Sequence, residues 1–238
     1  QALRHCHFYI CVSQSTKNDL LKVFPQINPH QTSVIYEAAE NKYDKFLKLK
    51  TQDQEKKKAS ILKQYGLNHY ILAQGTREPR KNLDRLITAF NQFKNRNPGS
   101  TVVLAIAGKY GWGEDVNNPN PGIKILGYIP EKDMVALHAS ALCLAYPSLY
   151  EGFGLPIIKS MKVGVPVITS NTSSMAEISG NAAILVDPKS IKDISNALEK
   201  IIKHSSTRKS LSQKSVKQSH KFSWTQTAQQ TLKVYQSL

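Results

Sequence analysis

The chain has 238 residues and a net charge of +15, with 32 Lys and Arg against 17 Asp and Glu. This length suffices for one or two domains with a buried core, and a hydrophobic content of 40% argues against a disordered chain. No run approaches the roughly 20 apolar residues that span a bilayer. The three Cys form no CxxC pair, which disfavours a zinc ribbon or a disulfide scaffold and favours a reducing, cytoplasmic compartment. The charge indicates an anionic partner: nucleic acid, a membrane surface or a phosphate-bearing ligand.

The first 37 residues predict a strand, a helix and a second strand. The apolar run at 8–13 is typical of a buried strand, residues 13–15 offer Ser N-caps for a helix, and Pro25 ends that helix. Residues 32–36 predict the second strand. Because this segment is too short to be a domain and the chain does not begin with Met, we expect a piece of a longer protein.

The composition changes between residues 42 and 63. Eight Lys face three acids in this stretch, and few apolar residues occur before position 61. The pattern predicts a solvated linker that leads into a basic helix. A new domain is expected to begin near Tyr70.

From Tyr70 onward, strands and helices alternate. Strands are predicted at 70–75, 101–108, 123–128, 141–146, 165–169 and 183–186, and helices at 83–90, 130–137, 156–164 and 191–203. Apolar strands that alternate with helices are typical of an α/β fold, with a parallel sheet covered by helices on both faces. Ligands of such sheets bind beyond the carboxyl ends of the strands, so the loops there are the first places to search for a site.

The tail carries a second basic stretch and a final helix. Residues 189–221 contain nine Lys or Arg against two acids, and 224–238 predict an amphipathic helix with Ser223 as its N-cap. We interpret both basic stretches as solvated faces, with contact to an anionic membrane surface as an alternative. Nucleic acid is disfavoured, because the sequence contains no helix-turn-helix, RNA-binding signature or zinc finger.

A polar loop follows the predicted strand at 70–75. It reads Gly75-Thr76-Arg77-Glu78-Pro79-Arg80-Lys81-Asn82. A Gly at the turn lets the backbone approach a ligand, and the N–H groups and dipole of the next helix favour an anion. Arg80 can grip a phosphate with two donors, and Lys81 adds a point charge. The loop lacks the Gly spacing of a Walker or dinucleotide motif, so a solvated basic loop stays an alternative.

A second loop occupies the same strand-to-helix position. It reads Tyr150-Glu151-Gly152-Phe153-Gly154-Leu155-Pro156. Its two glycines let the backbone turn and present N–H donors to a phosphate, and a Pro suits the first turn of the helix that follows. The Glu151 carboxylate can accept hydrogen bonds from sugar hydroxyls. The alternative is a Gly-rich turn with an exposed Glu.

Both loops resemble signature segments of the family 4 retaining glycosyltransferases. The run 75–87 resembles the family's donor-diphosphate loop, and the run 147–156, continued by 164–170, resembles its carboxylate signature region. Further segments that resemble the family lie at 107–108, 127–130 and 180–188. The resemblance covers the whole chain and implies a Rossmann-like sheet that forms one half of a GT-B architecture, in which two domains face each other across a cleft.

The family pattern divides the chain into three parts. Residues 1–37 resemble the last elements of the acceptor-binding N-terminal domain, and 38–222 resemble the nucleotide-sugar-binding domain. Residues 223–238 resemble the helix that crosses back to the first domain. We therefore expect this helix to pack on a missing N-terminal domain and to expose an apolar face in this chain.

The resemblance also implies roles for individual residues. The catalytic candidates are Arg80 and Lys81, which would neutralise the donor diphosphate and the departing nucleotide, and Glu151, which would bind hydroxyls of the transferred sugar. The donor-binding candidates are Gly75, Thr76, Tyr128, Ile129, Gly152, Phe153, Gly154, Leu155 and Lys159. Retaining members need no metal, so no cofactor is expected besides the nucleotide-sugar substrate. Glu177 resembles a recurring family position that binds backbone near the donor.

Lys159 departs from the family pattern of two Glu separated by seven residues. Counted from Glu151, the second position is 159, where the family's Glu accepts hydrogen bonds from ribose hydroxyls. Lys has donors only. Three explanations stay open: Lys159 adds to the diphosphate pocket, the protein is a degenerate member, or the residue reflects a change in the sequence.

The predicted function is transfer of a sugar from a nucleotide-diphosphate-sugar to a glycan or lipid-linked saccharide, with retention of configuration. The predicted place is the cytoplasm, with peripheral contact to an anionic membrane and without a nucleic-acid partner. Two alternatives are a degenerate binding module that assists a partner and a sugar-nucleotide epimerase of the same fold. Because most of the acceptor domain is missing, we expect this chain alone to be inactive.

Overall fold

A computed structural model describes residues 6–113 and 120–238 of the chain. Its first part is a two-stranded parallel sheet of β1 (Tyr9–Cys11) and β2 (Thr32–Val34), joined by helix α1 (Gln14–Val23). Ser13 is the N-cap of α1, as predicted, and its hydroxyl accepts the backbone N–H of Thr16 at 3.0 Å. Both strands are shorter than predicted, because only three residues of each pair with the other.

Residues 41–65 form two helices in place of the predicted linker and basic helix. They are α2 (Asn41–Leu47) and α3 (Thr51–Tyr65). The linker prediction was wrong for α2, because Tyr43 and Phe46 are buried in the core and hold this Lys-rich segment in helical form. The basic helix is confirmed by α3, which ends at Gly66 with a left-handed φ of 58°.

The remaining strands and helices mostly alternate, as the sequence predicted, although β5 follows β4 without a helix among the described residues. They are β3 (Tyr70–Gln74), α4 (Leu83–Arg96), β4 (Val103–Ala107), β5 (Ile123–Gly127), α5 (Glu131–Ser140), β6 (Cys143–Tyr146), α6 (Leu155–Lys162), β7 (Val167–Ser170), α7 (Ser173–Ser179), β8 (Ala183–Val186) and α8 (Ile191–Lys203). Helix α7 was not predicted, because seven residues that include three Ser carry too little apolar periodicity.

Six of the strands form one sheet in the order β5-β4-β3-β6-β7-β8, and every neighbouring pair is parallel. The chain passes from β3 to β4 and β5 on one side, and it resumes with β6 on the other side of β3. The strand order therefore reverses between β3 and β6. The carboxyl ends of these two strands border the crevice where ligands bind in sheets of this kind.

Helices cover both faces of the sheet, which confirms the predicted α/β layers. On one face, α4 and α8 contact each other and bury Phe90, Phe93 and Leu198 completely. On the other face lie α2, α3, α5, α6 and α7, with Leu137 and Ile157 fully buried between them and the strands. The apolar strands have side chains in both clusters, which explains their near-continuous hydrophobic runs.

The chain ends with two helices, α9 (Ser205–Ser219) and α10 (Trp224–Gln236). The Thr227 hydroxyl of α10 donates to the carbonyl of Tyr36 at 2.6 Å, which ties this helix to the chain just after β2. Trp224, Leu232 and Tyr235 are 42%, 55% and 66% exposed, so α10 has the exposed apolar face that was expected. None of the described helices combines the length and the apolar composition that a membrane span requires.

Candidate functional site

The two loops predicted to bind a ligand meet at the point where the strand order reverses. The first follows β3 and the second follows β6, and the N–H of Leu149 donates to the carbonyl of Arg80 at 2.9 Å between them. Asn82 adopts a left-handed φ of 60°, and its side-chain amide donates to the carbonyls of Pro147 and Pro188 at 2.9 and 2.7 Å. Asn82 therefore fixes the short 3-10 turn of Pro79–Lys81, which carries the basic pair. The sequence alone did not predict this role.

Arg80, Lys81 and Glu151 form one ion-paired cluster. The Lys81 ammonium lies 2.7 Å from Glu151 Oε1, and the Arg80 guanidinium lies 2.5 Å from Glu151 Oε2. Arg80 also pairs with Glu78 at 2.5 Å. The Tyr146 hydroxyl donates to Glu151 Oε1 at 2.8 Å. The alternative of an exposed Glu in this loop was therefore wrong, because Glu151 is the shared counter-ion of Arg80 and Lys81.

Two members of the cluster are largely removed from water, whereas the third, Arg80, has a side chain that is 39% exposed. The side chains of Glu151 and Lys81 are 9% and 12% exposed. Burial opposes the charge of Glu151, but the Lys81 ammonium and the hydrogen bonds from Lys81 and Tyr146 outweigh it and hold the pKa of Glu151 below its usual range. Burial and the neighbouring carboxylate raise the pKa of Tyr146, so this phenol keeps its proton and acts as a donor.

The loop at 152–155 presents backbone N–H groups beside this cluster. Gly154 has a left-handed φ of 105°, and a Cβ there would lie 3.1 Å from Ile157 Cδ1, so Gly fits this turn better than any other residue. In the described part of the chain, the N–H groups of 152–155 have no protein acceptor. They lie at the start of α6, where the helix dipole also favours an anion.

Four of the predicted donor-binding residues line one cavity of about 270 Å³ at the ends of β3, β4 and β5. They are Gly75, Thr76, Tyr128 and Ile129. The Tyr128 ring is 60% exposed and lies under the Lys109 ammonium, which is 4.6 Å from its centroid. Ile129 is 5% exposed and forms part of the cavity floor. An exposed ring above an apolar floor can hold a flat heteroaromatic group.

Lys159 is engaged with a residue that the sequence reasoning did not consider. Its ammonium lies 2.7 Å from Glu40 Oε1, and its side chain is 12% exposed. Burial opposes the charge of Glu40, but Lys159 holds the pKa of that carboxyl below its usual range. The second oxygen of Glu40 is buried, without a hydrogen-bond partner in the described part of the chain. Lys159 therefore already has a counter-ion from the segment before α2.

A buried histidine supports the wall of the cavity. His138 is fully buried, and its ring nitrogens lie 2.8 Å from Ser160 Oγ and 2.5 Å from Gln74 Oε1. Gln74 lines the cavity. Burial, reinforced by the charges of Lys159 and Lys42, lowers the pKa of His138 to about 3, so the ring is neutral at ordinary pH. The neutral ring therefore acts as a packing group that links α5 to Gln74 and Ser160.

Glu177 of α7 joins the six-stranded part of the fold to the first helix. Its carboxylate accepts the backbone N–H groups of Gln14 and Ser15 at 2.8 and 3.1 Å, and the hydroxyl of Tyr36 at 2.8 Å. Burial and this carboxylate raise the pKa of Tyr36 to about 12. Glu177 thus binds backbone, as expected, and the backbone that it binds is the first turn of α1.

The comparisons with known proteins agree with this arrangement. Residues 53–218 match the family model "Glycosyl transferases group 1". The chain is 35% identical over 187 residues to O-antigen chain mannosyltransferase B of Escherichia coli, which covers 75% of this chain and 49% of that protein. It is 25% identical over 206 residues to O-antigen chain mannosyltransferase RfbU of Salmonella typhimurium, covering 84% of this chain and 52% of that protein. The chain thus spans about half the length of these two relatives.

The fold is also similar to solved structures. The crystal structure of Anabaena Alr3699/HepE in complex with UDP-glucose superimposes with a TM-score of 0.82 at 20% identity, over 100% of this chain and 65% of that one. WaaG, a glycosyltransferase involved in lipopolysaccharide biosynthesis, superimposes with a TM-score of 0.73 at 16% identity, over 89% and 58%. These neighbours support the GT-B assignment of the fold. By its sequence match and its fold, the chain belongs to the group 1 family of glycosyl transferases.

Proposed function

We propose that this chain is the donor-binding part of a retaining glycosyltransferase, which moves a sugar from a nucleotide-diphosphate-sugar to a glycan or a lipid-linked saccharide. The observation that carries the proposal is the ion-paired cluster of Arg80, Lys81 and Glu151 beside the N–H groups of 152–155, which have no acceptor among the described residues. Two cations and several N–H donors at one point suit a diphosphate, and the carboxylate suits the hydroxyls of the sugar attached to it.

The mechanism follows from these charges. As the glycosidic bond breaks, negative charge develops on the departing diphosphate, and Arg80 and Lys81 stabilise that charge in a site with little water. The acceptor hydroxyl attacks from the same face and passes its proton to the departing phosphate, so the sugar exchanges its bond to the diphosphate for a bond to the acceptor and retains its configuration. The carboxylate of Glu151 accepts hydrogen bonds from hydroxyls of the transferred sugar. The same carboxylate also accepts hydrogen bonds from Arg80 and Lys81. The cavity lined by Tyr128 and Ile129 takes the base of the nucleotide.

The names of the relatives guide the choice of donor. Both O-antigen relatives are named as mannosyltransferases, so a nucleotide-activated mannose is the first donor to test, followed by other hexoses. The second candidate function is a degenerate binding module, which Lys159 motivates because it stands where the family has a carboxylate.

A thermal-shift panel tests the proposal. The full-length protein is mixed with nucleoside diphosphates and with their sugar derivatives, because a ligand that binds the folded state raises the melting temperature. We expect at least one base series to raise it, and the nucleotide-sugar to be hydrolysed slowly without an acceptor. Binding without hydrolysis or transfer favours the module, and conversion of the free nucleotide-sugar to an epimer favours an epimerase. A panel without any shift contradicts the transferase.

The division of the chain into three parts is carried forward as a proposal. The two-stranded sheet of residues 9–34 is separate from the main sheet, and α10 packs near it with an exposed apolar face. We assign residues 1–37 to an acceptor-binding domain and the exposed face of α10, with Trp224 and Leu232, to contact with that domain. In the longer protein these side chains would then be buried.

Peripheral contact with an anionic membrane is part of the same proposal. A groove of about 410 Å³ lies between α2, α3 and α5, and Phe46 and Ile61 form its apolar floor. Lys45, Lys57 and Lys132 on its rim have no ion pair within the described residues. We name these three residues the groove lysines. Cations around an apolar floor suit the phosphates and glycerol backbones of acidic lipids, on the cytoplasmic side where the reaction is predicted.

A further inference from the structure

The loop that carries Glu151 is held from behind by hydroxyl groups of α1. The hydroxyls of Ser13 and Thr16 donate to the carbonyl oxygen of Gly152 at 2.6 and 3.0 Å. Ser13 is fully buried, and the two hydroxyl oxygens lie 2.9 Å apart, so both converge on one acceptor. Two side-chain donors occupy both lone pairs of this carbonyl oxygen, which fixes the direction of the carbonyl.

The carbonyls on either side of Gly152 are held by the first turn of α7. Ser174 is fully buried, and its Oγ lies 2.8 Å from the carbonyl oxygen of Glu151 and 2.9 Å from that of Phe153. The Ser173 hydroxyl donates to the same Glu151 carbonyl at 2.6 Å. Three consecutive carbonyls are therefore bonded by hydroxyls, whereas the N–H groups of 152–154 have no acceptor in the described part of the chain.

Because the peptide bond is planar, the hydrogen bonds to these three carbonyls also set the direction of the N–H groups that follow them. In a trans peptide, the C=O of one residue and the N–H of the next point opposite ways. Fixing the Gly152 carbonyl toward α1 turns the N–H of Phe153 away from α1. In the same way, fixing the carbonyls of Glu151 and Phe153 toward α7 turns the N–H groups of Gly152 and Gly154 away from α7.

Helices α1 and α7 form one surface behind the loop, because the Glu177 carboxylate of α7 accepts the N–H groups of Gln14 and Ser15 in α1. All three carbonyls thus point to one side, and the three N–H groups point to the other. Convergent N–H groups of consecutive residues bind an anion more tightly when they cannot rotate, because the cost of ordering them has already been met.

We propose that Ser13, Thr16 and Ser174 are positioning residues that aim the N–H groups of 152–154 at the phosphates of the donor. This inference rests on the proposed function, since it assumes that a diphosphate binds there. Each hydroxyl acts through a backbone carbonyl and does not contact the donor. Thr16 and Ser13 precede β2 in the chain, so the first 37 residues set the geometry of a loop more than a hundred residues later.

The test compares Thr16→Val, which keeps the shape and removes the hydroxyl, with Thr16→Ser, which keeps the hydroxyl. Ser15→Ala is the matched control, because this neighbouring residue of α1 contributes its backbone N–H and not its hydroxyl to Glu177. Calorimetry on the full-length protein measures binding of GDP and UDP, and of guanosine and uridine as probes without phosphate. Ser13 is left unchanged, because it also caps α1.

We expect Thr16→Val to weaken binding of the diphosphate about 3- to 10-fold, the range of one hydrogen bond. Binding of the matching nucleoside stays the same, and Thr16→Ser restores the diphosphate affinity. Ser174→Ala, on the other helix, is expected to give the same selective loss, and it decides the question if Thr16→Val does not fold. Ser15→Ala is expected to bind like the wild type.

Two results would overturn the inference in different ways. If the variants melt at lower temperature but bind diphosphate and nucleoside as the wild type does, the hydroxyls only stabilise the loop, and the proposed function stands. If the wild-type protein binds no nucleoside diphosphate of either base and no nucleotide-sugar in the thermal-shift panel, the proposed function fails and the inference fails with it.

Discussion

Two groups of cations in this protein differ in what surrounds them. Arg80 and Lys81 lie at the centre of the sheet edge, and both are paired with the buried carboxylate of Glu151. The groove lysines lie on three different helices, face solvent and have no ion pair within the described residues. The first group is fixed by neighbours, and the second is free to move.

The difference separates the cations that can act directly on a bound ligand from those that contribute only to the net charge of +15. A cation that is desolvated and paired acts at short range on whatever group replaces its partner. An exposed lysine acts at longer range, weakly and in a way that salt screens. If the two groups differ in this way, Arg80 and Lys81 should affect catalysis, and the groove lysines should affect binding to charged surfaces.

The largest effect is expected at Lys81. We expect Lys81→Met to lower kcat of the full-length protein by about 10²- to 10³-fold, because one charge that stabilises the departing diphosphate is lost. The variant is also expected to lose up to about 3 kcal/mol of stability, since Glu151 keeps Arg80 as its one cationic partner among the described residues. Steady-state kinetics and urea unfolding measure the two. Lys189→Met, at an exposed lysine, is the control, and a folded Lys81→Met protein with a loss below tenfold would contradict the catalytic role.

The groove lysines are tested together. Replacing Lys45, Lys57 and Lys132 with Gln is expected to weaken binding to vesicles with acidic phospholipids by about 10- to 100-fold, at about 1 kcal/mol for each lysine near the surface. Flotation with vesicles of phosphatidylglycerol and phosphatidylcholine measures it, and neutral vesicles should bind neither protein.

The control for this experiment carries the same charge change elsewhere. Lys189, Lys192 and Lys209 are exposed residues of the second basic stretch, and their replacement by Gln should leave vesicle binding nearly unchanged. If both triple variants lose affinity equally, the membrane contact is a property of net charge and not of the groove.

Acid is expected to destabilise the folded protein in part through the carboxylate of Glu151. The pKa of Glu151 is lowered in the folded state, so its ionisation stabilises the protein above the unfolded value of 4.5. This contribution is lost as pH falls from about 5 through the folded pKa. The free energy of unfolding should therefore fall with acid more steeply in the wild type than in Glu151→Gln. Asp84→Asn removes an exposed carboxylate that has no ion pair within the described residues, so this control should retain the wild-type slope. If the curve of Glu151→Gln runs parallel to that of the wild type, the assignment of the acid effect to Glu151 is refuted.

The smallest effect concerns Lys159 and Glu40, which lie 2.7 Å apart in a partly exposed pair. Lys159→Glu is expected to cost about 1 kcal/mol or more by placing two carboxylates together, and the exchange Glu40→Lys with Lys159→Glu should recover at least half of it. Unfolding curves of the four proteins give the coupling energy. If Lys159→Glu also leaves donor affinity unchanged, position 159 does not hold the ribose here.

The strands, most helices and both loops could be predicted from the sequence, because apolar runs, Pro, Gly and Ser N-caps are local signals. Helix α2 could not be predicted, because its two apolar residues gain their energy from a core that other segments build. The same holds for the partner of Lys159, since nothing local links residues 40 and 159. The hydroxyls on the Gly152 carbonyl come from residues separated by 139 and 136 positions, and sequence spacing carries no information about contacts at that distance.

The balance of charge within the Glu151 cluster has a kinetic consequence. Arg80 and Lys81 are matched by Glu78 and Glu151, so the cluster itself exerts little attraction at a distance. An approaching anion is steered by the surplus lysines elsewhere, and it meets the two cations only on arrival. Salt should therefore slow the association rate through residues far from the loops, whereas the dissociation rate should depend on the local exchange of partners and change little with ionic strength.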